Sequence, residues 1–429
     1  MAVRKLGSKS GSMDDVADVL IIGAGPAGAT AALAALRARP DATVRLLDAA
    51  TFPRDKACGD GIAPHALSEL QALGAHQLTA GHRPVAWLDL RTPGGVRVRA
   101  RPPQANYVIP RRVFDARIVA AALAAGAQLV RHRARRIEIR PLGRGGSAGR
   151  DEVVTVDGEF AGRVLIGADG ANSMVRRALG LPRNPDDHLA VAVRGYAVEH
   201  ADDQATGDQG TGHDQASGDD RASAAGPAQL IDMQAEAWPA YAWSFPLADG
   251  SGRANVGYGR LRSALSNRDQ LWGELQRLLP DQPAEDLRAH HLPLSTWRPH
   301  QPDGRVLLVG DAASLINPLT GEGIFYAVRS GRLAGTAAIS PGGRAAGAVY
   351  RRALAGSLGR HLRHTSALAL LSRHRPALDA ALAAAAGRGA LMDRLVEVGL
   401  GDGLIPPALL PVTVGLYLRR LGGRLRSIR

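Results

Sequence analysis

The stretch Val19-Leu20-Ile21-Ile22-Gly23-Ala24-Gly25-Pro26-Ala27-Gly28 limits what this chain can fold into more than any other. A short apolar run ends in G-x-G-x-x-G, and helix-forming residues follow to Arg39. The pattern reads as a buried strand over Val16–Ile22, a turn, a helix over Ala27–Arg39, and a second strand over Thr43–Leu47. Gly23 permits the tight turn, Gly25 lets the backbone approach a pyrophosphate, and Gly28 lets helix and strand pack closely. The helix N-terminus offers its N–H groups to the phosphates. Asp48, 20 residues after Gly28, is positioned to accept both hydroxyls of a ribose. With strand and helix in place, the motif predicts dinucleotide binding. A signal peptide or membrane span over the 18 uncharged residues Val19–Leu36 is rejected, because three glycines and Pro26 interrupt it.

A second motif begins nearly 300 residues after the first, at Arg305–Val309, where a strand ends in Gly310-Asp311. Asn317-Pro318 and Gly321-Glu322-Gly323 follow and open a long helix. Asp311 is suited to a ribityl hydroxyl. N–H groups over Gly321–Ile324 are expected at the pyrimidine end of an isoalloxazine, where a helix N-terminus stabilises the negative charge of a reduced flavin. Two such sites favour FAD over NAD as the resident cofactor. Gly167-Ala168-Asp169-Gly170 reads as a third strand–turn–helix junction, with Asp169 more structural than catalytic.

Two further stretches carry candidate chemistry. Lys56-Ala57-Cys58-Gly59 lies in a Gly/Pro-bounded loop and holds the chain's one cysteine. A thiol beside Arg54 and Lys56 is expected to have a lowered pKa and to exchange a proton. Lys56 is the one lysine beyond Lys5 and Lys9; it is expected to supply that field or meet a diphosphate. Tyr241, Trp243 and Phe245 alternate, so they share one face of a strand. That face suits an isoprenoid tail, with plain core packing as the other reading. One cysteine excludes a disulfide framework and thiolate zinc clusters, and His361, His364 and His374 lack acidic neighbours for a metal site.

The net charge is +13, and from Arg344 onward 14 arginines stand against four acids. No nucleic-acid motif accompanies this bias. An anionic membrane surface and a solvated basic face both remain open. The run Leu404–Leu418 contains three prolines, is too short to span a bilayer, and leads into five arginines, which suits interfacial docking or a packed helix. Residues 1–15 read as a disordered tail and 201–228 as a flexible insert, since neither holds enough apolar residues for a core. A helix is expected over Val113–Ala125. Strands are expected near Leu129–Arg140, Glu152–Val156 and Val164–Ile166, and a second sheet over 189–199, 229–235, 240–247 and 253–259. Helices should dominate after Gly321.

Together the three glycine-containing motifs resemble the two-domain FAD oxidoreductases that include aromatic hydroxylases and geranylgeranyl reductases. Phe52-Pro53-Arg54-Asp55-Lys56-Ala57-Cys58-Gly59 resembles the P-R-x-K-x-C-G signature of the geranylgeranyl reductase family. Tyr241–Pro246 with Asn255-Val256-Gly257-Tyr258-Gly259 resembles its Y-x-W-x-F-P…N-V-G-x-G sheet, and Arg111, Phe114 and Asp115 match its R-x-x-F-D helix start. Within the family the fuller phrases look most like actinobacterial menaquinone reductases. The resemblance implies an α/β fold, with a Rossmann-like FAD-binding domain, an inserted antiparallel-sheet substrate domain and a helical C-terminal region. The expected division is 16–84, 105–185 and 300–340 for the first, 85–104 and 186–299 for the second, and 341–429 for the third. It also implies saturation of polyprenyl C=C bonds by hydride from a reduced flavin, with a proton from an acid such as Cys58. The catalytic candidates are then Cys58 and Lys56. Tyr241, Trp243 and Phe245 are expected to bind substrate. Cofactor contacts fall to Gly23, Gly25, Gly28, Asp48, Arg111, Gly310, Asp311, Gly321 and Gly323. NAD(P)H or an electron-donor protein should bind transiently, and the expected location is cytoplasmic, peripheral on the inner face of the cell membrane. The alternatives are an FAD monooxygenase or epoxidase of the same fold, less favoured a halogenase, and a prenyl-lipid carrier without redox chemistry.

Overall fold

A computed structural model describes residues 16–104, 106–141, 152–199, 226–236, 238–267, 269–340, 345–386 and 388–407. The N-terminal tail, most of the 201–228 insert, and the chain after 407, with most of the Leu404–Leu418 run and its five arginines, lie outside the described residues.

The chain opens with β1 (Val16–Ile22), α1 (Pro26–Ala38), β2 (Val44–Asp48), β3 (Gly61–Ile62) and α2 (Pro64–Ala72). It continues through β4 (Trp87–Arg91), β5 (Arg97–Ala100), β6 (Tyr107–Val108) and α3 (Arg111–Ala124). Next come β7 (Gln128–Arg131), β8 (Ile137–Pro141), β9 (Glu152–Val156), β10 (Phe160–Gly167) and α4 (Met174–Ala178). The second half holds β11 (Leu189–Val198), β12 (Ala228–Asp232), β13 (Ala240–Pro246), β14 (Arg253–Leu261) and α5 (Asp269–Leu278). After β15 (Glu285–Pro293) and β16 (Val306–Leu308) the chain is helical: α6 (Ile324–Ala338), α7 (Ala346–Ser372), α8 (Arg375–Ala386) and α9 (Gly389–Leu400).

The first sheet runs β7-β2-β1-β10-β9-β8, with β16 beside β10. Strands β7, β2, β1, β10 and β16 are parallel, so helices cover them and their residues read as continuous apolar runs. Leu20, Ile21, Leu46, Leu165 and Leu307 are fully buried. Helix α1 lies on this sheet and crosses α6 at very short range. A Cβ on Gly331 would stand 2.3 Å from the Ala27 carbonyl oxygen, and one on Gly335 2.1 Å from that of Ala31. The glycine loop after β1 and the Gly310 loop after β16 are therefore held together by backbone-to-backbone packing.

The second sheet runs β15-β11-β14-β13-β12-β4-β5. It is antiparallel except where β12 pairs with β4 in parallel, Ala228 opposite Trp87. Helices α8 and α9 cover the β4–β5 end, where Leu88, Leu90 and Val98 pack with Ala385, Leu391 and Met392.

Three local expectations are corrected. The strand expected over Leu129–Arg140 is two strands, because the Asp157 carboxylate accepts the N–H groups of Arg135 and Arg136 and breaks the run. The expected helix at Val113 begins at Arg111. β15 was not anticipated; it is an edge strand whose first four residues are exposed, so it lacks apolar alternation.

Candidate active site

One cavity of about 1140 Å³ lies between the two sheets and the C-terminal helices. At one end is the glycine loop. Gly23 has φ +98°, a conformation open to glycine. A Cβ on Gly28 would sit 1.8 Å from the Gly23 carbonyl oxygen, so Gly28 is a packing glycine and does not line the cavity. Gly25 does line it. The nearest group to a Cβ there is Arg54 Nη2, 3.3 Å away. Arg54 in turn meets Asp115 at 3.0 Å. The buried Arg111 grips the same carboxylate with two bonds of 2.6 and 2.8 Å. Two guanidiniums on one carboxylate leave a net positive charge beside the glycine loop, which suits a diphosphate. Asp48 is anchored by the N–H groups of Ala24 and Ala50, each at 2.8 Å, and still faces the cavity.

At the second motif Gly310 has φ +55° and donates to Ser330 Oγ at 3.0 Å. Asp311 accepts from Lys56 Nζ at 3.2 Å, and His290 Nε2 stands 3.9 Å away. Burial alone would raise the Asp311 pKa, but Lys56 and His290 outweigh it and hold the carboxyl well below its usual range. Lys56, expected at the reacting centre or on a diphosphate, is thus turned onto Asp311. Gly321 has φ +70°, and a Cβ there would meet the Tyr241 hydroxyl at 2.8 Å. The N–H groups at this helix start are partly committed. Gly321 donates to Asn317 O at 3.0 Å and Phe325 to Glu322 Oε1 at 2.7 Å, and Glu322 also accepts from the Ile324 N–H. The Glu322 side chain, rather than open N–H groups alone, occupies the N-terminus of α6. Burial pushes its carboxyl up to about 7, against the pull of those N–H groups and of Arg111.

Cys58 lines the same cavity. Its carbonyl accepts from Asn255 Nδ2 at 2.9 Å, and the same amide donates to Asp60 Oδ2 at 2.8 Å. Asn255 Oδ1 accepts from Trp243 Nε1 at 2.9 Å, so one buried side chain ties the second sheet to the cysteine loop. The thiol does not have the lowered pKa expected from nearby cations. Burial raises it, and Arg111 offsets only part of that, while the neighbouring Asp60 adds to the rise. Asp60 is fully buried at φ +60° and accepts from the Tyr196 hydroxyl at 2.6 Å. Burial lifts its carboxyl to about 6, against the hydrogen bonds and nearby arginines.

Tyr241, Trp243 and Phe245 all line the cavity, with successive ring centroids 6.0 and 6.4 Å apart. Gly59 and Gly61 lie against this aromatic face; a Cβ on Gly59 would touch Trp243 and Phe245 at 3.4 Å. The Tyr241 hydroxyl donates to Thr320 O at 2.5 Å. Beyond Tyr241 the cavity continues as an apolar arm under α8 and α9, walled by residues such as Leu90, Ile231, Leu382 and Leu395.

The structure therefore brings every candidate residue except Gly28 onto one cavity. Residues with no role anticipated from sequence are Asp60, Asn255, His290 and Glu322, while Arg54 was read as a cation beside the thiol and instead meets Asp115. Asn255 and Glu322 stood inside quoted motifs, so the signal was present without a role attached. The set fits FAD on structural grounds: a backbone approach at Gly25, surplus cations beside it, and anchored carboxylates at Asp48 and Asp311 on the same cavity.

Comparison with known proteins agrees. A family model described as an FAD binding domain matches residues 16–199. The chain is 34% identical over 345 residues to menaquinone reductase of Mycolicibacterium smegmatis, covering 75% of this chain and 76% of that protein. It is 33% identical over 340 residues to digeranylgeranylglycerophospholipid reductase 1 of Methanopyrus kandleri, covering 75% and 80%. In fold it is similar to a geranylgeranyl bacteriochlorophyll reductase-like protein from Thermoplasma acidophilum, with TM-score 0.65, 20% identity, and coverage of 97% and 100%.

Proposed function

Because this chain belongs to the geranylgeranyl reductase family of FAD-dependent oxidoreductases, we propose that it saturates carbon–carbon double bonds of a polyprenyl lipid. A menaquinone tail is the first substrate to try, given the relatives at 34% identity. The observation that carries this reading is the continuity of one cavity from the polar glycine loop, past Cys58 and the aromatic strand, into an apolar arm. Ligand pockets ordinarily measure roughly 300–1,000 Å³, so 1140 Å³ leaves room for a lipid segment beside a cofactor.

FAD, when bound, supplies the hydride. The residues that hold it are the Gly23–Gly28 loop, Arg54 with Arg111, Asp48 and Asp311, with Lys56 fixing Asp311. The aromatic face of β13 orients the alkene. An isolated trisubstituted alkene accepts hydride poorly, so its other carbon must receive a proton in the same event. Cys58 is the donor in this reading: its raised pKa keeps the thiol protonated at neutral pH, and Asn255 fixes its loop. Arg111 stabilises the thiolate that remains, since it interacts with the sulfur directly. Glu322, on the same cavity with a pKa about 7, returns the proton. Electrons come from a transient donor, a nicotinamide or a protein. The enzyme works on membrane lipid from the cytoplasmic face; its basic charge supports this, and no helix among the described residues is long and apolar enough to cross a bilayer.

The test is anaerobic incubation of the flavin-loaded protein with a chemical reductant and menaquinone, followed by mass spectrometry. The product should carry two more hydrogens in its tail. An unchanged tail, or oxygen incorporation under air, would refute the proposal.

A further inference from the structure

The geometry points to the C-terminal end of α7, around Leu370 and Leu371, as the surface that docks on an anionic bilayer and opens the cavity to it; this rests on the lipid reading above. Five large hydrophobic residues are exposed among the described residues: Ile139, Val198, Leu287, Leu370 and Leu371. The first three are scattered singly and lie away from the cavity. Leu370 and Leu371 are adjacent, 67% and 55% exposed, and both line the cavity. They are therefore its rim, reached from solvent and from the apolar arm alike. Trp238 joins this rim, its indole N–H donating to Ser372 O at 2.6 Å. An indole with one polar edge suits a bilayer interface.

The charge on the same helix fixes the kind of surface. From Ala346 to Arg375 there are six arginines and no aspartate or glutamate. Arg352, Arg360 and Arg363 are exposed and enter no ion pair among the described residues. With Ala367 and Leu370 they recur at spacings of three, four or eight, which keeps them on one face of a helix. A cationic row that ends in two leucines at a cavity mouth matches a lipid surface of negative charge. It does not match an acidic protein, which would gain nothing from a rim opening into an apolar arm. A helix of this kind lies in the interface plane and does not span. The lipid tail then passes from bilayer to cavity without crossing water.

The experiment is co-sedimentation of the full-length, flavin-loaded protein with phosphatidylcholine vesicles, with and without phosphatidylglycerol. Two variants are compared: Arg352→Glu/Arg360→Glu/Arg363→Glu, and Leu370→Asp/Leu371→Asp. Wild type should bind the anionic vesicles. The arginine variant should bind on the order of a hundredfold more weakly, since each basic residue near such a surface contributes about 1 kcal/mol. The leucine variant should also lose binding. Both variants should melt as wild type does, because the altered side chains are exposed. Wild-type binding by both variants, or equal wild-type binding to neutral vesicles, overturns the inference. Reduction of a short prenyl substrate in solution, with no vesicle present, tests the reductase reading separately.

Discussion

The glycine loop places a cofactor contact, Gly25, and a packing contact, Gly28, only three residues apart in sequence. Gly25→Ala places a methyl group in the cavity, at φ −70° and ψ −171°, a conformation any residue adopts. Its nearest neighbour is the end of a flexible arginine. The folded protein should hardly notice: reduced freedom of the unfolded chain stabilises by about 0.4–1 kcal/mol, and loss of glycine at an N-cap costs a similar amount. The pyrophosphate, however, must retreat from the loop. Losing one or two charge-assisted bonds of about 1.5–3 kcal/mol each weakens FAD binding by about a hundredfold or more. Gly28→Ala does the reverse. Its Cβ meets a backbone oxygen at 1.8 Å, with no side chain to swing away, and overpacking of this kind costs about 3 kcal/mol. The assay is thermal unfolding of flavin-depleted protein against added FAD. At a concentration 100 times the wild-type Kd, wild type gains about 2.7 kcal/mol. Gly25→Ala, with a hundredfold weaker Kd, gains about 0.4 kcal/mol. Gly28→Ala starts from a lower melting temperature before any FAD is added. An FAD-dependent gain in Gly25→Ala equal to wild type would show that no phosphate passes that loop.

Three other outcomes are expected. Cys58→Ser and Cys58→Ala should keep FAD yet reduce alkene about 10²–10⁴-fold more slowly, the usual worth of a positioned acid; near-normal rates of tail reduction by mass spectrometry would make Cys58 a packing residue. Wild-type turnover should fall as pH rises through about 7, where Glu322 loses its proton, and Glu322→Gln should flatten that profile. The same group sets a stability trend. Its folded pKa lies above the ordinary 4.5, so the stability it contributes is full below about 4.5 and is lost as pH rises through about 7, up to about 3 kcal/mol. Glu322→Gln should therefore melt higher than wild type at pH 8 in flavin-depleted form, and a lower melting point there would refute the assignment. Asn255→Leu leaves the Trp243 N–H, the Cys58 carbonyl and Asp60 short of a partner, at roughly 1–3 kcal/mol for each group left unsatisfied; urea unfolding should show a loss of several kcal/mol, and an unchanged midpoint would mean the sheet does not hold the cysteine loop.

The parts of this molecule that were legible in the sequence are those where one local stretch carries the whole physical requirement. Gly23, Gly25 and Gly28 announce a turn and a close approach without reference to any other segment, and the β1–α1 unit follows. The alternation of Tyr241, Trp243 and Phe245 likewise shows a shared face from spacing alone. What escaped reading depends on pairs far apart in sequence. Lys56 and Asp311 are 255 residues apart, and only the folded chain shows that the lysine serves the carboxylate. β15 was invisible because an edge strand with an exposed start needs no apolar alternation, and with it went His290. The Cys58 thiol was assigned the wrong direction because neighbouring cations are visible in a sequence, whereas the burial that outweighs them is not. Glu322 was hidden for the same reason: its place just before the helix start is readable, but the loss of solvent around it is a property of the packed cavity.

The crossing of α1 over α6 has a consequence for how this chain can drift over generations. At Gly331 and Gly335 any side chain would enter the volume of a carbonyl oxygen on α1. Relief cannot come from a change at Ala27 or Ala31, because the obstructing atoms belong to the main chain. No compensating substitution on the opposite helix can then rescue a larger residue. These two positions are closed to neutral exploration, whereas the aromatic face of β13 and the apolar arm can trade one hydrophobe for another. Descendants of this chain are thus free to change what lipid they accept while the join between the two halves of the cofactor seat stays frozen.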